Sequence, residues 1–115
     1  PAWLNCGVYE EEQPTEYAVH ALEHSAVWIA YDPAQVDDEQ IGALRDLAPS
    51  THAIVSPIEG LDTPIAISAW GARLAVDDAG DERLQQFIDK YWLSPTAPEP
   101  NALCSNALDG PGRVS

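Results

Sequence analysis

The chain has 115 residues, which suffice for one domain but not for two independent hydrophobic cores. Hydrophobic residues make up 45% of it, and this share excludes an intrinsically disordered chain. Five basic residues face nineteen acidic ones. The formal charge of −14 excludes a protein that binds nucleic acids through phosphate contacts, and it disfavours binding to anionic lipid headgroups.

The first predicted elements are a helix and a buried strand. After an extended lead-in over residues 1–14, Thr15 suits a helix N-cap and Glu16 suits the first turn. An apolar, β-branched and aromatic run over residues 26–32 then predicts a largely buried strand. Pro33 ends that strand.

The two remaining helices begin at acidic residues, Asp37-Asp38 and Asp81-Glu82, and Pro49 ends the first of them. In chain order the sequence predicts helix 15–24, strand 26–32, helix 37–48, strand 52–58, strand 65–70 with its pattern continuing over 73–76, and helix 81–91. The order α-β-α-β-β-α predicts an α+β fold, with a small mixed sheet of three to four strands and about three helices. We expect the first two strands to be parallel through a right-handed crossover, and the next two to form a hairpin.

The two cysteines bear on the compartment. Cys6 and Cys104 lie near opposite ends of the predicted domain, residues 1–104, which precedes a flexible tail over residues 105–115. Chain ends of compact domains often lie close together, which favours one disulfide and an extracytoplasmic location over two buried thiols in a cytosolic protein. The chain contains no apolar run long enough to span a membrane, and it begins at Pro1. We therefore expect a piece of a longer precursor, with its signal or anchor upstream.

The histidine pair in the segment His-Ala-Leu-Glu-His is the most chemically specific feature. His20 and His24 are four residues apart on the first predicted helix, so their imidazoles share one face and suit copper or zinc. Glu23, Tyr31 or His52 are candidates for a further ligand, although a surface position is expected for His52. The alternative is structural, because histidines near a helix C-terminus interact well with its last carbonyls.

Two other functions compete with metal binding. A non-catalytic accessory subunit of a membrane or cell-envelope complex would use the acidic surface and the aromatic residues near the ends, Trp3 and Trp92. A small hydrolase built on the histidine pair ranks last. Its letters match the inverted zinc-peptidase motif, but the sequence shows neither a third ligand on a second helix nor a substrate chamber.

Several blocks resemble the family catalogued as domain of unknown function 3105, in particular its actinobacterial members, over about residues 1–104. The blocks that carry the resemblance are Cys6–Tyr9, Ala18–His24, Ala26–Tyr31, Ser68–Gly71, Arg83–Tyr91, Pro98-Glu99 and Cys104. The resemblance implies a domain outside the cytoplasm behind an N-terminal anchor or signal, and it implies no established enzymatic activity. It also implies an upstream Gly-Pro-His stretch with a third histidine, and glycine as a left-handed helix cap at the position of Ser25.

Overall fold

A computed structural model describes residues 5–100, 102–103 and 112–114. The elements in chain order are β1 (Gly7–Val8), α1 (Thr15–Glu23), β2 (Val27–Tyr31), α2 (Asp38–Leu47), β3 (Ala53–Pro57), β4 (Ile65–Ala69), β5 (Ala72–Val76) and α3 (Glu82–Tyr91). The five strands form one sheet in the order β1-β3-β2-β4-β5. Strands β1, β3 and β2 run parallel, whereas β4 is antiparallel to both of its neighbours.

The predicted count of three to four strands is wrong, and so is the predicted order of the elements. Two residues of the expected lead-in, Gly7 and Val8, pair with β3 as an additional edge strand. The last predicted strand divides at Gly71, whose φ of +77° reverses the chain into a β4–β5 hairpin. The parallel β2–β3 pair is confirmed.

The hairpin predicted between the second and third strands is also wrong. Strand β3 already has β1 on one edge and β2 on the other, so the chain after β3 must find another edge. It crosses over and places β4 beside β2 in antiparallel register, with Ile29 opposite Ile67. Every residue of β2 is consequently buried.

Side chains alternate between the two faces of the sheet, and each face has its own core. Helices α2 and α3 cover one face, where Leu44 and Leu84 pack on Val27, Ile29 and residues of the neighbouring strands. Helix α1 covers the other face. Its core is smaller and consists of Cys6, Tyr9, Ala18, Ala21, Leu22, Ala26, Trp28, Ala30 and Ile54.

Two of the three described helices, α2 and α3, begin at the acidic residues that their sequences predict. The Asp37 carboxylate accepts a hydrogen bond from the backbone N–H of Gln40 at 2.9 Å and caps α2. Asp81 caps α3 in the same way, through the N–H of Arg83. The expected cap at Thr15 is wrong: Thr15 is already helical, and the cap position belongs to the preceding proline.

Residues 112–114 lie beside β1 and the residues that follow it. Cys6 is buried and disulfide-bonded, and no cysteine among the described residues is free. Its predicted partner, Cys104, lies outside the described residues. Of the predicted flexible tail, residues 112–114 are described, and the N–H of Val114 donates to the carbonyl of Val8 at 2.8 Å. Within the described ranges, no helix is long and apolar enough to cross a bilayer.

Candidate metal centre

Helix α1 ends in a Schellman motif that leads directly into β2. The N–H of Ser25 donates to Leu22 O at 3.1 Å, and the N–H of Ala26 donates to Ala21 O at 3.3 Å. Ser25 adopts φ +71°, the left-handed conformation for which the family resemblance implies glycine. The last turn of α1 therefore stands at the amino end of β2.

The two histidines of that last turn lie side by side. Their ring centroids are 5.3 Å apart and nearly perpendicular. His20 is half-buried, whereas His24 is only 3% exposed. Nδ1 of His24 lies 2.9 Å from the carbonyl oxygen of Leu103. Because a carbonyl can only accept, Nδ1 must carry the proton of this hydrogen bond, which leaves Nε2 as the ligand atom of His24.

A carboxylate that the sequence analysis did not assign completes the group. Oε2 of Glu99 lies 3.3 Å from Nε2 of His24. The ligand atoms of His20, His24 and Glu99 all lie within 4.8 Å of one another. Two ligand atoms of a tetrahedral zinc ion, each about 2.1 Å from the metal, are about 3.4 Å apart. The separations among the three atoms therefore exceed that spacing by no more than about 1.4 Å.

The other proposed ligands lie outside this group. The backbone carbonyl of Glu23 accepts a hydrogen bond from the N–H of Glu99 at 2.8 Å, and the Glu23 carboxylate is not one of the grouped ligand atoms. His52 is 9% exposed, so the expected surface position is wrong. Its ring nitrogens lie 3.0 Å from Thr51 Oγ1 and 2.7 Å from Ala102 O. His52 was considered as a third metal ligand, but its ring contacts the backbone of Ala102 and it is not part of the group.

Tyr31 belongs to the other end of the sheet. It lies at the carboxyl end of β2, whereas the histidine group stands at the amino end. Burial raises the pKa of its phenol, and the nearby Arg45 guanidinium opposes this rise through its charge and a hydrogen bond. Both side chains line a cavity of about 810 Å³, with an acidic rim that includes Glu10 and Glu59. None of the three grouped side chains lines this cavity.

Of the two residues predicted to contact a partner, the structure describes only Trp92. Trp3 lies outside the described residues. Trp92 is half-buried against the α2/α3 core, and its indole N–H donates to Thr51 O at 2.9 Å. Its position is therefore consistent with packing, and its role as a partner contact stays a prediction.

Glu99 was missed because nothing local marks it. It follows Pro98 in an irregular stretch, 75 positions after His24, among nineteen acidic residues. The only signal was the Pro98-Glu99 pair among the blocks that carry the family resemblance. Only the folded chain shows which of the nineteen acidic residues faces the histidines.

The comparisons with known proteins agree with the resemblance. The family described as "Protein of unknown function (DUF3105)" matches residues 1–106, and the chain belongs to this family. No curated protein matches, and no solved structure matches. The possible chemistry of the domain therefore has to be argued from the site itself.

Proposed function

We propose that this domain binds a transition metal ion, zinc or copper, through His20, His24 and Glu99. The observation that carries the proposal is the 3.3 Å approach of His24 Nε2 to Glu99 Oε2. With its proton on Nδ1, a neutral His24 presents a nitrogen lone pair to a carboxylate oxygen, and two acceptors repel at this distance. A cation shared by the two atoms removes the repulsion.

The donor set suits these metals. Imidazole nitrogen is a good ligand for both zinc and copper, and a carboxylate oxygen completes a two-histidine, one-carboxylate set. The hydrogen bond from Nδ1 of His24 to a backbone carbonyl is the outer contact that typically orients a metal-ligating histidine. Three protein ligands leave one position of a tetrahedral ion open, which is the arrangement of reactive rather than purely structural zinc sites.

The competing explanation is a simple ion pair. A proton on Nε2 would make His24 a cation and would turn the same contact into a salt bridge with Glu99. This explanation gives His20 no role, although its ligand atom belongs to the group. The two explanations therefore differ in what the loss of His20 does.

The test is calorimetric titration of untagged, metal-free protein with zinc and with copper, together with elemental analysis of protein as purified. We expect one ion per chain, and we expect His20→Ala and Glu99→Gln each to weaken binding by more than about 10-fold. Glu23→Gln is the matched control, since it removes a neighbouring carboxylate outside the group. Absence of binding in the wild type, or equal binding by all three variants, would refute the proposal.

One observation favours the accessory-subunit alternative. Trp70, at the β4–β5 turn, is 40% exposed, and tryptophan is enriched at protein interfaces. If this function is correct, the full-length protein extracted from membranes in mild detergent should elute as a complex, and Trp70→Ala should release it. Elution of the wild type as a monomer argues against the alternative.

We also propose that this domain lies outside the cytoplasm. It follows from the placement of the cysteines and from the family resemblance. Protease accessibility of the domain in intact cells without their outer wall would test it, with a cytoplasmic protein as the control. Protection of the domain under those conditions would place it inside the cell.

A further inference from the structure

Two buried histidines form hydrogen bonds with the carbonyl groups of neighbouring residues in one irregular segment. We call residues 93–100 and 102–103 the closing segment, because they return the chain from α3 to the end of α1. His24 donates from Nδ1 to Leu103 O at 2.9 Å, and His52 approaches Ala102 O through Nε2 at 2.7 Å. The two histidines precede adjacent parallel strands, β2 and β3.

The hydrogen positions on His52 follow from its partners. Ala102 O can only accept, so Nε2 of His52 carries a proton. In the neutral ring Nδ1 is then an acceptor, and the hydroxyl of Thr51 donates to it at 3.0 Å. Both nitrogens of a neutral His52 are thereby satisfied.

The backbone of His52 is also unusual. It adopts φ +54°, a left-handed conformation that is rare outside glycine, asparagine and aspartate. Such conformations carry a free-energy cost and persist where the surrounding structure imposes them. At His52 this conformation occurs together with the hydrogen bond from the imidazole to Ala102 O in the closing segment.

The carbonyl that His52 holds is close to the proposed metal ligand. The N–H of Ala102 donates to Glu99 O at 3.3 Å, so the two residues share one turn. On its other side, the N–H of Glu99 donates to Glu23 O at 2.8 Å. Glu99 is thus held between the end of α1 and His52, while its side chain remains 56% exposed.

We infer that His52 is a positioning residue of the metal centre: by anchoring Ala102 it keeps the Glu99 carboxylate opposite Nε2 of His24. The inference rests on the proposed function. Metal binding and docking of the closing segment are then linked, because the ion bonds to α1 and to the segment together. By reciprocity, a metal that favours the docked segment is bound more tightly when the segment is held in place.

The test compares His52→Leu with His52→Gln in the untagged protein. Both variants keep a side chain of similar length at the same φ, but only glutamine keeps an N–H donor near the position of Nε2. We expect His52→Leu to weaken zinc binding by about 10-fold, and His52→Gln to stay within about 3-fold of the wild type. Hydrogen exchange at the Glu99 and Ala102 amides, with and without zinc, is the second readout.

The expected exchange pattern is specific to the closing segment. In the metal-free state, His52→Leu should speed exchange at both amides by about 10-fold and leave the amides of β2 unchanged, and zinc should slow exchange at both amides in the wild type. If His52→Leu binds zinc as tightly as the wild type while Glu99→Gln does not, the inference is wrong and the proposed function stands. If the wild type binds neither zinc nor copper, both fail.

Discussion

The two faces of the sheet differ in what holds them together. Beneath α2 and α3 the contacts are apolar, and residues such as Leu84 and Ile67 are completely buried. Beneath α1 the core is smaller, and polar side chains are buried beside it, among them His24, Ser25 and Ser56. Apolar burial is the dominant favourable term in folding, whereas a buried polar group must find a partner. The first face is built for stability, and the second face supports the proposed site.

The largest effect should come from the apolar face. Leu84→Ala removes a fully buried side chain and should lower the free energy of unfolding by about 2–5 kcal/mol, because it leaves a cavity. Urea unfolding measures this loss. The folded fraction of Leu84→Ala should bind zinc with wild-type affinity, because α3 contributes no residue to the grouped ligands. Val19→Ala, at an exposed position of α1, is the control and should change stability by less than about 0.5 kcal/mol.

A smaller effect is expected at the buried polar pair on the α1 face. The indole N–H of Trp28 donates to Ser56 Oγ at 2.9 Å. Trp28→Phe removes the donor, and Ser56→Ala leaves the indole N–H without this acceptor, at a cost of about 1–3 kcal/mol. The double variant should cost less than the sum of the two, which a double-mutant cycle measures. Strict additivity would show that the hydrogen bond contributes nothing.

Substitutions at Ser25 separate two opposing contributions to stability, a side-chain hydrogen bond and an unfavourable backbone conformation. Its hydroxyl donates to Ser94 O at 2.7 Å, while its φ of +71° is unfavourable for any residue with a side chain. Ser25→Ala loses the hydrogen bond and keeps the strain, so stability should fall by about 1 kcal/mol. Ser25→Gly loses the bond but relieves the strain, and should stay within about 0.5 kcal/mol of the wild type. Equal losses in thermal unfolding would contradict this separation.

The smallest effect concerns pH, at the carboxyl end of β2. Hydrogen bonds from the Gln35 side chain and from the Ala34 N–H hold the pKa of the Asp32 carboxyl below its usual value. The folded chain therefore binds this proton less readily than the unfolded chain. The associated stability is present above the ordinary aspartate pKa of about 3.9 and is lost as the pH falls through the lower, folded pKa.

Asp32→Asn should remove this dependence. The difference in urea midpoint between the wild type and the variant is expected to be constant above about pH 5 and to shrink at lower pH. Asp37→Asn, which removes the carboxylate at the α2 cap, serves as the comparison variant. A difference that grows as the pH falls would show that folding raises the pKa of Asp32, contrary to this prediction.

The elements of the fold could be predicted where a pattern is local and long. The apolar run of β2 and the acidic starts of α2 and α3 are such patterns. The two-residue strand β1 could not be predicted, because Gly7 and Val8 carry too little pattern and pair only when β3 offers an edge. The partner of β4 could not be predicted either, since it depends on which edges of the sheet are already occupied.

The placement of His20 and His24 on one helix face follows from their spacing alone, because four residues make about one turn of an α-helix. The approach of Glu99 to His24, and the hydrogen bond between His52 and the backbone of Ala102, depend on how the whole chain folds. His24 and Leu103 are 79 residues apart along the chain, and no local periodicity relates such positions. Spacing along a helix follows from backbone geometry, whereas the third residue of the proposed site depends on where the sheet and the closing segment bring the chain back.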